Sequence, residues 1–406
     1  MLPFLPLLLL LPLAPAALPP PPQNQTYATW MASSILARGQ GLGLNPRGRP
    51  AVSYEHGTFQ TALLRLHNAT GEARWLDAVR RGLDTIVRDE GRDIAGYDRG
   101  RAALDDIRVG EGLLVMYERT RNASYLRAAA LLHDQLATQP RTPEGGFWHK
   151  RRYAQQQWLD GVYMAQPFYA RWAVGGYEAR GGQGGGAERV WSDVGTQFRV
   201  IWAHCADRKT GLLRHGYDYS RKVVWADPVS GASPEVWGRA VGWYVMALVD
   251  LLAATAPIPA EHPTYALLLG QLRLLLPRVA DAADKESGGW ALVVSQPINR
   301  PGNYMESSGS LMFVYALLRA VRLDLVEDPG GRLVGVGRRG FESVVKRYLV
   351  KNRDGTVSLE GTVRVGSLDE DGDFEYYTKI NRVRDDLKGT APFVLAALEY
   401  EMLRDR

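Results

Sequence analysis

A single cysteine, Cys205, stands among 406 residues, so no intrachain disulfide can form and the fold must hold by packing. A core of this size needs no covalent staple, and Cys205 itself reads as a small packed apolar residue. Neither a Cys/His cluster of zinc spacing nor a His-Glu-x-x-His pair occurs, and no Gly-x-Ser-x-Gly elbow marks a serine nucleophile. Lysine and arginine form no dense block and the formal charge is only +5, which excludes a nucleic-acid footprint but agrees with a small acidic ligand. The glycine run from Arg180 to Gly186 lacks the preceding strand and following Lys-Ser/Thr of a phosphate loop, and reads as a flexible link. The acidic run Asp369–Asp373 lacks the twelve-residue calcium-loop pattern and reads as a solvated turn.

The composition is that of a globular chain, 46% apolar and 23% charged. The N-terminus carries an apolar run to Leu13 followed by Ala14, Ala16 and Ala17, the pattern of a secretory signal peptide over residues 1–17; an uncleaved anchor is the alternative. Three Asn-x-Ser/Thr sequons, at Asn24, Asn68 and Asn122, agree with export and glycosylation. The expected product is a secreted monomer with one domain over 18–406 and no membrane attachment after cleavage.

Helical periodicity recurs along the whole mature chain, over about twelve segments. They fall near 27–38, 56–67, 73–88, 107–119, 123–137, 161–173, 187–204, 237–254, 263–280, 307–322, 338–350 and 387–404. Short polar turns alternate with longer connections in which a glycine leads an extended stretch, as in Gly145–His149, Gly211–His215, Gly288–Leu292 and Gly355–Leu359. Such alternation predicts helical hairpins that close into an inner and an outer ring, an all-α (α/α)6 barrel with short β-bearing loops gathered on one face. An open solenoid is the competing architecture.

That loop face carries the chemistry-bearing residues. Asp160, in Gln157-Trp158-Leu159-Asp160-Gly161, sits between Trp158 and Tyr163. Aromatic surface raises a carboxyl pKa and suits a general acid, whereas the apolar run that follows suits a helix N-cap. Trp148, His149, His215, Arg239 and Trp243 lie on neighbouring loops and helix starts. Arginine with tryptophans around it fits either a sugar carboxylate or a buried ion pair.

At these motifs the chain resembles the unsaturated rhamnogalacturonyl hydrolases of glycoside hydrolase family 105, from about Tyr54 to Glu401. The pieces that carry the resemblance are Gly145–Lys150, Gln157–Gly161, Gly242–Met246, Glu306–Ser310, and Asp386–Gly389 with Pro392-Phe393. It implies an (α/α)6 barrel and hydration of the 4,5 double bond of an unsaturated uronic acid, without metal or organic cofactor. Asp160 matches the proton donor and Asp105 a second carboxylate, for which Asp106 is the alternative if Asp105 is a cap. His149, His215, Arg239 and Trp243 match sugar-binding positions, Trp148 is expected to stack on a sugar ring as Trp243 does, and Ser307 and Ser308 match the pocket floor or simply start a helix. Tyr54 and His56 fall in a Tyr-Glu-His-Gly segment where the family has Tyr-His-Gln-Gly, which touches subsite preference. The partner implied is an unsaturated acidic oligosaccharide from rhamnogalacturonan. Ulvan or glycosaminoglycan fragments, as for family 88, are the alternative substrates, and an inactive carbohydrate-binding protein is the alternative class.

Overall fold

The computed structural model describes residues 18–175, 177, 186–253 and 258–404. The expected signal peptide and most of the glycine link lie outside the described residues. Six helices form an inner ring: α2 (Tyr54–Thr70), α4 (Gly110–Thr120), α6 (Leu159–Val174), α8 (Gly238–Leu252), α10 (Ser307–Arg322) and α13 (Leu387–Arg404). Each packs on the next, and α13 returns to α2, which closes the ring. The outer ring comprises α1 (Tyr27–Ala37), α3 (Ala73–Ile86), α5 (Ala123–Ala137), α7 (Gly186–Cys205), α9 (Pro263–Asp281) and α11 (Arg332–Tyr348). This is the (α/α)6 barrel expected from the periodicity. Among the described residues no helix is long and apolar enough to cross a membrane.

The two rings differ as their sequences require. Outer helices such as α3 bury one stripe, Trp75, Ala78, Val79, Leu83 and Ile86, and leave the charged face to water. Inner helices α6, α8 and α10 are buried nearly all round, and α8 and α10 are almost continuous apolar runs. Small residues let them approach: a Cβ on Gly242 of α8 would stand 2.6 Å from the Met312 sulfur of α10.

Inner helices start at one end of the barrel, and the long connections arrive there. Those connections carry four antiparallel ribbons: β1 (Val87–Arg88) with β2 (Asp93–Ile94), β3 (Gln156–Trp158) with β4 (Gly216–Asp218), β5 (Leu349–Lys351) with β6 (Val357–Leu359), and β7 (Thr362–Val363) with β8 (Arg382–Val383). At the other end two links are very short, residues 71–72 between α2 and α3 and 121–122 between α4 and α5, while 253–262 and 323–331 form longer links from α8 to α9 and from α10 to α11. The six inner helices thus point their N-termini at the loop end, where the six outer helices have their C-termini.

Two elements depart from expectation. Helix α11 begins at Arg332, six residues before the expected start at 338. Its first turns hold Gly335 and Gly337, which weaken the helical pattern, yet Gly337 lies where a Cβ would meet Leu318 of α10 at 2.7 Å. The acidic run at 369–373 ends in a cap, not merely a solvated turn: Asp373 accepts from the Tyr376 amide at 2.7 Å and starts the short helix α12 (Phe374–Lys379).

Candidate active site

Asp160 lies in the first turn of α6, but Trp158 is the N-cap and makes no side-chain cap bond. The cap reading of Asp160 therefore falls away, and its carboxylate is left for other partners. Oδ2 lies 3.0 Å from His215 Nε2, and His215 Nδ1 lies 2.7 Å from the Tyr377 hydroxyl. Burial holds the Tyr377 hydroxyl well above its ordinary pKa, so it keeps its proton and can donate to Nδ1. The imidazole then presents Nε2–H to Asp160. Pairing of β3 with β4 sets this geometry, because Trp158 opposes Gly216 and the Leu159 amide donates to the His215 carbonyl at 2.9 Å.

The expected raised pKa of Asp160 is corrected. Burial pushes its carboxyl up, but His215, by electrostatic attraction and its hydrogen bond, and then His149 outweigh burial and hold it below the ordinary carboxylate value. The aromatic wall is present as expected: Trp158 stacks on His149 at 4.5 Å and on Tyr153 at 4.4 Å, and those two rings lie 6.3 Å from each other. Its desolvating effect is overridden by the two imidazoles it holds in place.

His149 is fully enclosed, and burial depresses its pKa to about 4, so it is neutral near pH 7. Its Nε2 is 3.5 Å from Asp105 Oδ1, while Lys150 Nζ lies 2.6 Å from Asp105 Oδ2. Asp105 belongs to a 3-10 turn, Leu104–Val109, whose N-cap is Ala103, so it is not a cap either. The Leu104 amide donates to the His149 carbonyl at 3.1 Å and ties that turn to the 149 loop. Gly161 allows this approach, since a Cβ there would stand 2.9 Å from Leu104 and 3.4 Å from His149 Nδ1. Asp106 faces Arg101 instead, at 3.3 Å, and burial raises its pKa to about 7.

Arg239 begins α8 and is almost fully buried. Nη1 donates to Ser308 Oγ at 3.2 Å and to the Val363 carbonyl at 2.7 Å, and Nη2 donates to the Arg364 carbonyl. Glu306 lies 3.9 Å away, and the guanidinium sits 4.5 Å over the Trp237 ring. Of its five N–H groups, Nε–H and one on Nη2 remain, enough for one carboxylate.

A cavity of about 120 Å³ joins these groups; Tyr54, Asp105, His149, Asp160, Arg239 and Trp243 all face it. Trp243 is stacked on Tyr163 at 4.9 Å and meets Tyr54 edge-on at 6.3 Å. His215 reaches the site through Asp160. Ser307 and Ser308 are wholly buried behind Arg239: Ser308 links it to Glu306, and Ser307 lies 2.8 Å from the Thr362 hydroxyl. Trp148 is half-buried and His56 buried, and neither is among the residues that line the cavity. Asn24, Asn68 and Asn122 are exposed.

Several groups at the site carry no motif signal. The segment Val365–Ser367 with Asp369 roofs the cavity. It is pinned by Leu368, which packs with Tyr153, Trp158 and Trp225 and accepts from Trp225 Nε1 at 2.8 Å. Lys150 and Arg152 also line it. The cations directly after His149 are a local cue that could have found these two, whereas Tyr377 is 162 residues from His215 in sequence and offers none.

A buried carboxylate, two imidazoles, an arginine and aromatic walls at the loop end of an (α/α)6 barrel define a carbohydrate-active enzyme. The model of Glycosyl Hydrolase Family 88 matches residues 31–404, and the chain belongs to that family of hydrolases. Among solved structures, a family 105 glycoside hydrolase of C. acetobutylicum is 32% identical with a TM-score of 0.84, over 93% of this chain and all of that one. The resemblance to family 105 seen in the motifs agrees with it. A possible family 105 member from Salmonella enterica is 21% identical at a TM-score of 0.72, over 95% of this chain and 96% of that chain, and shares the fold. An unsaturated glucuronyl hydrolase of Bacillus sp. GL1, responsible for the degradation of glycosaminoglycan, shares it at 14% identity and a TM-score of 0.62, over 92% and 95% of the two chains. Protein Atu3128 of Agrobacterium fabrum is 37% identical over 229 residues, 55% of this chain and 95% of its own length.

Proposed function

We propose that the protein hydrates the 4,5 double bond of the unsaturated uronic acid at the non-reducing end of lyase-generated rhamnogalacturonan oligosaccharides, releasing a keto-uronic acid. The observation that carries this reading is the placement of Asp160, backed by His215, on the same small cavity as Arg239. The cavity is of single-ring scale, which favours action at a chain end. Arg239 offers its two remaining donors to the uronate carboxylate, and Trp243 offers an apolar face to the ring.

The proton comes from Asp160. In the empty site this carboxyl is held ionised by its imidazole neighbours. A bound uronate excludes water and brings negative charge close by, and both move a proton onto Asp160. Asp160 then gives that proton to C4, and positive charge spreads over C5 and the ring oxygen. Water adds at C5 and returns a proton to Asp160. The hemiketal opens, and the aglycone leaves without attack at C1. Neutral His149 and the Asp105–Lys150 pair hold hydroxyls beside the reacting carbons. The leader-like N-terminus and the three exposed sequons favour a secreted, glycosylated protein.

The test uses the substrate's own chromophore. The conjugated enol ether absorbs in the ultraviolet and hydration removes it. Bleaching is expected on lyase-treated rhamnogalacturonan and not on chondroitin fragments. Bleaching of chondroitin alone would move the assignment to glycosaminoglycans, and none on any unsaturated oligosaccharide would leave a binding protein.

A further inference from the structure

A second cavity, of about 540 Å³, adjoins the first. The two share Asp105, Lys150 and Arg152 as a common wall. Beyond that wall the second cavity is lined by Arg101, Arg151 and Asp106. Four cations thus face two carboxylates.

The pairing is uneven. Lys150 is taken by Asp105 at 2.6 Å, Arg101 by Asp106 at 3.3 Å, and Arg152 by Asp369 at 3.1 Å. Among the described residues Arg151 has no such partner. It is exposed; its Nε donates to the Gly100 carbonyl at 2.7 Å, which anchors the stem, and among the described residues its two terminal nitrogens carry no hydrogen bond or ion pair. Burial moves Asp106 toward its neutral form near pH 7, which leaves the field of Arg101 less opposed.

A neutral sugar gives no reason for an anchored arginine with a vacant fork. We propose that this second cavity binds an acidic sugar further along the leaving oligosaccharide, with Arg151 meeting its carboxylate. The inference rests on the hydration reading above and adds what that reading lacks, a preference for an aglycone that itself carries a uronate. The first cavity takes the unsaturated ring, the shared wall takes the sugar joined to it, and the second cavity takes the next acidic unit.

The experiment compares unsaturated di- and tetrasaccharides prepared from rhamnogalacturonan by a lyase, the tetrasaccharide having a second uronate as its third sugar. Ultraviolet bleaching is followed for the full-length protein and for the Arg151→Ala, Arg151→Lys and Arg151→Glu variants. The wild-type protein is expected to show a lower KM for the tetrasaccharide, an advantage that shrinks with added salt. Arg151→Ala is expected to raise KM for the tetrasaccharide roughly three- to fivefold, as for an exposed ion pair. Arg151→Glu should raise it further, and Arg151→Lys should retain most of the advantage. The disaccharide should be turned over alike by all four proteins. Equal KM for both substrates in the wild type overturns the inference, and so does a change at Arg151 that affects both in proportion. In either case disaccharide bleaching leaves the hydration reading standing. Absence of bleaching on both substrates defeats that reading, and the inference with it.

Discussion

The two ends of the barrel both hold buried charged residues and use them in opposite ways. At the end away from the loops, Asp250 takes Arg65 at 3.2 Å, the Tyr315 hydroxyl at 2.6 Å and Arg319 at 3.6 Å. Glu399 takes Arg319 at 2.9 Å and Arg322 at 2.6 Å. At the loop end, Arg239 is held mainly by backbone carbonyls and keeps two donors free, and Asp160 leans on a histidine, while Arg151 has an open fork at the exposed rim. Buried charge that is fully paired reads as architecture. Buried charge held by neutral groups, with donors left over, reads as a place for a ligand.

The sharpest way to break this contrast is to remove one carboxylate at each end. Asp160→Asn keeps size and polarity but cannot give up a carboxylic proton. Turnover is expected to fall by roughly a hundred- to ten-thousandfold, with the thermal midpoint little changed and substrate still bound. Near-normal bleaching by this variant would dismiss Asp160 as the acid.

The complementary change is Glu399→Ala. It leaves Arg319 without its nearest carboxylate in a site almost closed to water. Breaking a buried pair in this way costs about 3–5 kcal/mol, so denaturant unfolding should shift strongly while turnover per folded molecule stays the same. A loss of kcat without loss of stability would mean that the far end is coupled to the chemistry.

Much of the fold was legible because helical periodicity is local. Eleven of the expected segments begin close to where the helices begin, and α11 started late only because Gly335 and Gly337 thin its pattern. At the site, Asp160, Arg239 and Trp243 were legible as motif residues in the first turns of helices, and His149 as a motif residue of a glycine-led loop. Their electrostatics were not. The neighbours of Asp160 in sequence are aromatic and predict a raised pKa, but its neighbours in space are His215 and His149, brought by the pairing of β3 with β4 and by the 149 loop. Tyr377 was invisible for the same reason. Ser307 and Ser308, for which the motif left open a pocket floor or a helix start, begin α10 and turn their hydroxyls to Thr362, Glu306 and Arg239.

A smaller effect sharpens the comparison through pH. His149 is buried with a pKa near 4, while an unfolded histidine titrates near 6.5. Between those values the unfolded chain takes up a proton and the folded chain does not, so falling pH favours unfolding in that window. The full effect is about 3 kcal/mol, reached near pH 4. Asp106 acts in the opposite direction, because its folded pKa is raised to about 7: its contribution is present at low pH and is lost as pH rises toward 7. Asp160, held below the ordinary carboxylate value, loses its stabilising contribution only at still lower pH. Wild-type stability against pH therefore mixes opposing slopes, and the measurement is the difference between variants. Relative to wild type, His149→Gln should gain stability steadily as pH falls from 6.5 to 4, and Asp106→Asn should gain as pH rises from 4 to 7. Parallel curves for wild type and His149→Gln would mean that the imidazole is solvated, and the loop end would then lack the dry wall on which its chemistry depends.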